Sequence, residues 1–175
     1  AIFRSPFAPL PPSEALTTLK AVNKILGAEA YRPLDDRNKP GGVVALPQDL
    51  TPIIVGDLHA QVNNLLSLLS QNGFLEALEA GNAALIILGD AVHSEVDGQL
   101  DDMGSSLLMM DLILSLKLRF PRQVFYIRGN HDSFSDTVFK SGVAQCLMWE
   151  TVLRSRRGES YLEEMNHFYQ QLPYL

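Results

Sequence analysis

Cysteine is nearly absent: the 175-residue sequence holds one, Cys146. No intrachain disulfide can form, so a reducing compartment fits, and zinc sites built from several thiolates are excluded. Cys146 sits in the apolar stretch Val143 to Trp149. It reads as a small buried hydrophobe rather than a nucleophile, because no histidine is close in sequence and nothing nearby would lower its thiol pKa. Basic residues are also scarce, with 14 Lys and Arg against 20 Asp and Glu and a net charge of −6. A diffuse acidic balance argues against a nucleic-acid partner, although bound cations would still let the chain take a phosphate substrate. No apolar run is long enough to span a membrane, so no membrane partner is expected. The start, Ala1-Ile2-Phe3-Arg4, has no basic region followed by a long apolar core, and it has no initiator methionine. It is no signal peptide, and it implies processing or excision from a longer chain. The expected compartment is cytoplasmic. With 46% apolar and 19% charged residues, the chain can bury a core as one domain or a large piece of one.

Neither internal repeats nor low-complexity tracts are present. Pro6 to Pro12 is a proline-rich lead-in; Ser13 is expected to cap a helix over Ala15 to Leu26 that ends near Gly27. Tyr31 to Gln48 holds prolines, glycines and charges and reads as an irregular connection. Beyond it, Ile53-Ile54-Val55 is a short buried strand broken by Gly56. Val62, Leu65, Leu66 and Leu69 follow at helical spacing and stop at Asn72-Gly73. Ala84 to Leu88 is a second strand, Met103 to Phe120 a long helix closed by Pro121, and Val124 to Ile127 a third strand. Ser141 to Arg156 and Tyr161 to Leu172 read as two further helices. Strands alternating with helices define an α/β fold with parallel strands, and such sheets hold ligands just past their carboxyl ends.

Those strand ends read Gly56-Asp57-Leu58-His59, Gly89-Asp90-Ala91-Val92-His93 and Gly129-Asn130-His131-Asp132. Three of the four histidines lie there. One Gly-Asp pair alone is ordinary turn chemistry. Three in succession, each behind a buried strand, point to a site. Carboxylate, imidazole and amide donors form a mixed set suited to Mn, Fe or Zn ions. Asp57 and His59, two apart, can leave one strand end on the same side, and Asp90 has two oxygens with which to bridge a metal pair.

In this order the motifs resemble the calcineurin-like metallophosphoesterase superfamily, and most closely its serine/threonine protein phosphatase branch. Arg128-Gly129-Asn130-His131-Asp132 is similar to that branch's Arg-Gly-Asn-His-Glu, and Leu172-Pro173 after Phe168 resembles the end of a helix that follows it. The resemblance implies an α/β/β/α sandwich of which residues 51–175 would be the N-terminal half, incomplete at the C-terminus, with 1–50 as a helix and irregular lead-in. It implies two metal ions and hydrolysis of a phosphoric ester by a metal-bridging hydroxide. Asp57 and His59 would hold the first metal, Asp90 would bridge, and Asn130 would hold the second. His131 would be the general acid, and Arg128 would grip phosphate oxygens. The substrate would be a phosphorylated protein or a small phosphoester.

The sequence departs from the branch at the second motif. Ser94 replaces a phosphate-binding arginine, and His93 replaces an aspartate that orients the catalytic histidine. Ala60 stands where the family has glycine. His93 is open between a polar loop residue and an extra metal or substrate contact. Asp97, Asp101 and Asp102 read as solvated charge near a helix start, and His167 as a surface or core residue rather than a ligand. Two later metal histidines of the family are not found, so a missing C-terminal segment is expected to complete the site. A hydrolase of nucleotides or dinucleoside polyphosphates, and a non-catalytic metal-binding module of the same fold, are the alternatives.

Overall fold

The computed structural model describes residues 8–71, 73–95, 103–135 and 142–174. Helix α1 spans Pro12–Leu26, with proline in its first turn where a missing N–H costs nothing. Ser13 is not its cap. Pro11 occupies that position, and the Ser13 carbonyl lies inside the helix, where it accepts from the Thr17 hydroxyl at 2.9 Å. Strands β1 (Thr51–Val55), β2 (Ala83–Ile87) and β3 (Val124–Tyr126) form a parallel sheet in the order β1-β2-β3. Ile53, Leu85 and Val124 stand in register, as do Ile54, Ile86 and Phe125.

Between β1 and β2 lie α2 (Val62–Leu69) and a six-residue α3 (Phe74–Glu79), which the helical spacing did not reveal. Helix α4 (Gly104–Arg119) connects β2 to β3, and α5 (Gln145–Arg157) and α6 (Glu159–Gln171) follow. Sequential parallel strands joined by right-handed crossovers place every connection on one face. The main core is accordingly one-sided: Ile53, Val55, Leu85, Ile87, Val124 and Tyr126 meet the buried faces of the helices. Helix α4 runs through this core, buried on nearly all sides from Ser106 to Lys117.

The opposite sheet face carries a small second cluster of Leu50, Ala84 and Phe125, overlaid by Tyr31, Val44 and Leu46 of the irregular segment. Ile54 on that face remains 62% exposed. The segment is held by a buried ionic cluster. Glu29 accepts from Lys117 of α4 at 2.5 Å and from Arg32 at 3.0 Å. Arg32 also donates to the carbonyls of Gly41 and Gln171, at 2.7 and 2.8 Å. Among the described residues, no helix is long and apolar enough to cross a membrane. Asp97, Asp101 and Asp102 lie outside the described residues.

Candidate metal centre

The three strands release their chain at the same sheet edge, and the turns there are strained. Of the non-glycine residues with positive φ, His59 (41°), Ala60 (58°), Asp90 (46°) and His93 (69°) fall in the first two turns. Left-handed backbone is costly for such residues and persists where surrounding structure imposes it. Here the imposition is visible: the backbone N–H groups of His59 and Ala60 donate to the carbonyls of Asp90 and Ala91, at 3.0 and 2.7 Å. Ala60 therefore occupies a conformation in which the family's glycine is unstrained, which explains why glycine suits that position.

The second and third turns are in backbone contact. A Cβ on Gly89 (φ 90°) would lie 2.3 Å from the Gly129 nitrogen, and one on Gly129 would lie 2.3 Å from Asp90 Oδ1. Only glycine permits this approach. Gly89→Ala is expected to destabilise the chain by roughly 1–3 kcal/mol, through overpacking and a forbidden φ. A urea-unfolding midpoint equal to that of the native chain would show that the turns can separate freely.

Asp132 fixes the junction. It is fully buried, and its carboxylate accepts from the Tyr126 hydroxyl (2.8 Å), the Gly129 N–H (2.8 Å) and the Asp90 N–H (3.2 Å). Burial pushes its pKa up to about 6 against the lowering effect of the Gly129 N–H. This positioning role was not read from the sequence, where Asp132 stood only as a motif's last letter. The signal was the acid itself, placed where two turn N–H groups and a strand hydroxyl needed an acceptor. The Asp90 carboxylate in turn accepts from the His131 N–H at 2.8 Å.

His59 stands between carboxylates. Its Nδ1 is 3.2 Å from the His93 carbonyl, and its Nε2 lies 3.7 Å from Asp57 and 3.2 Å from Glu95. Donation from Nδ1 to the carbonyl leaves Nε2 as the lone-pair atom, the second-shell arrangement of many metal-binding histidines. A lone pair facing two carboxylates invites a cation between them. Asp57 is exposed, Asp90 is 7% exposed, and Asn130 is exposed on the turn between Gly129 and His131. The donor chemistry of Asp57, His59 and Asp90 thus fits hard or borderline metal ions. Glu95 was not among the residues singled out by sequence.

His131 is 8% exposed; its ring meets that of His59 at 6.0 Å and that of His93 at 5.2 Å. Burial lowers its pKa from the ordinary imidazole value, partly offset by the Asp90 charge. His93 lies in the loop after β2 and is fully buried there, and burial pushes its pKa down to about 3. Ser94 is buried too, and its side chain is uncharged. Arg128 donates from Nε to the Asp132 carbonyl (3.2 Å) and from an Nη to the Tyr174 hydroxyl (3.0 Å). His167 is exposed on α6 and lines a separate surface cleft with Arg32 and Lys39. Cys146 is buried, and burial raises its thiol pKa.

The fold is a parallel α/β sheet whose strand ends gather carboxylates and imidazoles at one edge. Residues 50–174 match the calcineurin-like phosphoesterase family, and the chain belongs to it. It is 38% identical over 85 residues to the serine/threonine-protein phosphatase 4 catalytic subunit of Saccharomyces cerevisiae, covering 47% of this chain and 23% of that protein. It is 37% identical over 81 residues to the serine/threonine-protein phosphatase PP2A-like PPG1 of Candida albicans, covering 46% of this chain and 16% of that protein. Its fold matches the solved structure of a protein serine/threonine phosphatase from Saccharomyces cerevisiae with similarity to human phosphatase PP5. That match has a TM-score of 0.60 and 18% identity, and covers 94% of this chain and 44% of that one. The chain therefore spans less than a quarter of these curated relatives and under half of the solved phosphatase chain.

Proposed function

We propose that the chain is part of a metal-dependent phosphoric ester hydrolase acting on phosphoproteins or small phosphoesters. The observation that carries this is the packing of Asp90 and His131 into one hydrogen-bonded junction at the sheet edge, with the carboxylate-flanked His59 alongside. In this reading Asp57, His59 and Asp90 hold one metal, and Asp90 and Asn130 take part in holding a second; Mn, Fe and Zn all suit the donors. The ions supply Lewis acidity and a nucleophile at neutral pH.

The chain's own groups do the rest. His131 carries a proton to the leaving oxygen, its backbone tied to Asp90 so that acid and ligand keep a fixed distance. Arg128, braced by the Asp132 carbonyl and Tyr174, offers its remaining N–H groups to phosphate oxygens. A further segment, continuous or in a separate chain, supplies the remaining ligands. In support, the chain covers 44% of the solved phosphatase it resembles. Residues 1–50 serve as lead-in and 51–175 as the N-terminal half of the catalytic domain.

The test is hydrolysis of an aryl phosphate and a phosphopeptide, with metal content measured alongside. Asp90→Asn is expected to abolish turnover and cut metal occupancy, because a neutral amide bridges two cations poorly. Unchanged metal stoichiometry in that variant would remove Asp90 from the centre. A second reading, a non-catalytic metal-binding module, is favoured by the buried Ser94 in place of a phosphate-gripping arginine. Bound metal without hydrolysis of either substrate would support it.

A further inference from the structure

Beneath the carboxylate-rich edge lies a second group of donors with different chemistry. His93 and Cys146 are both fully buried, and His131 is 8% exposed. Donor atoms of these three residues lie within 4.8 Å of one another. Neither ring nitrogen of His93 has a hydrogen-bond partner, nor does Nδ1 of His131. A neutral imidazole has one N–H donor and one lone-pair acceptor, so His93 buries one of each unsatisfied. Buried polar groups are rarely left so, and orphans of this kind call for a water, an ion or a role. Trp149 packs edge-on beside the group, its ring 6.4 Å from that of His93.

We propose that His93, His131 and Cys146 form a buried, soft cation site that takes zinc, or an ion of the same class, through two imidazole nitrogens and one thiolate. Tetrahedral zinc with its usual bond lengths sets donors roughly 3.3–3.6 Å apart, so the widest pair would draw in by up to about 1.5 Å. Binding displaces the thiol proton: Zn²⁺ and Cys146–SH give the zinc–thiolate bond and one proton released to solvent. A fourth position is left to water. Imidazole with thiolate selects zinc or copper(I), whereas the oxygen-rich edge at Asp57, Asp90 and Glu95 suits harder ions. The two sites communicate through His93, whose carbonyl is 3.2 Å from the His59 Nδ1. With His131 held as a ligand, the ring is withdrawn from its acid role, so filling this site is inhibitory. That last clause rests on the proposed function; the site itself does not.

Cobalt(II) titration of the full chain tests it, because cobalt bound to thiolate gives a near-ultraviolet charge-transfer band that oxygen and nitrogen ligands alone do not. The native chain is expected to develop the band, and one equivalent of zinc to abolish it. Cys146→Ser and Cys146→Ala should lack the band while keeping the native near-ultraviolet circular dichroism. His93→Ala should weaken the cobalt binding that produces it by tenfold or more. Asp90→Asn should retain it, which separates this site from the hydrolytic centre. Cobalt bound without the band, or a native chain that binds no cobalt, would overturn the proposal.

Discussion

His131→Asn is expected to lower kcat by about 10²–10⁴-fold in the complete enzyme, the usual scale of lost general-acid catalysis. The reason is local. The backbone of His131 is tied to Asp90 at 2.8 Å, so asparagine preserves the turn while removing the proton carrier. Burial lowers the histidine's pKa, which makes its protonated form a stronger acid toward a leaving alkoxide. The loss should depend on the leaving group. Aryl phosphates expel a weakly basic phenolate and need little protonation, so their rate should fall less than that of alkyl phosphates. Equal losses on both substrate types would exclude His131 as the leaving-group acid.

The largest effect on stability is expected at Glu29. Its side chain is 1% exposed and faces Lys117 and Arg32, whose side chains are 5% and 4% exposed. Burial pushes the Lys117 pKa down, and the Glu29 charge is the first force raising it again. Glu29→Ala leaves two cations confronting each other away from water. Breaking a buried pair in this way costs about 3–5 kcal/mol. Pairing the change with Lys117→Met should recover part of that loss, because it removes one of the two stranded cations while Arg32 keeps the carbonyls of Gly41 and Gln171. Urea unfolding of the single and double variants gives the comparison. A single-variant loss below ~1 kcal/mol, as for a surface pair, would show that water reaches the cluster. The same cluster anchors the segment over the second sheet face, so its loss should also raise the exposure of Phe125.

The strand ends were readable because each couples a short apolar run to glycine and then a donor, a pattern that depends on neighbours in sequence. The helices were readable where the apolar stretch ran long, as in α4, or kept a helical period, as in α6, and not in the six-residue α3, where less than two turns leave no period to count. Ser13 misled because the chain's start was fixed by prolines at 11 and 12 instead. His93, Glu95 and Asp132 could not be placed from sequence, since their roles come from turns that fold back with positive φ. Cys146 was read correctly as buried. Its distance from any histidine along the chain misjudged its surroundings, because His131 and His93 reach it across the fold.

The contacts that assemble the edge are far apart in the chain: Asp90 meets His131 over 41 positions and Asp132 over 42. Such contacts form only after the intervening loops close, which places them late in folding. With the proposed ligands, the nascent chain would offer a metal Asp57, His59 and Asp90 once β2 has paired with β1, and Asn130 only after β3 has docked beside β2. Loading of a second ion would then report completed strand order.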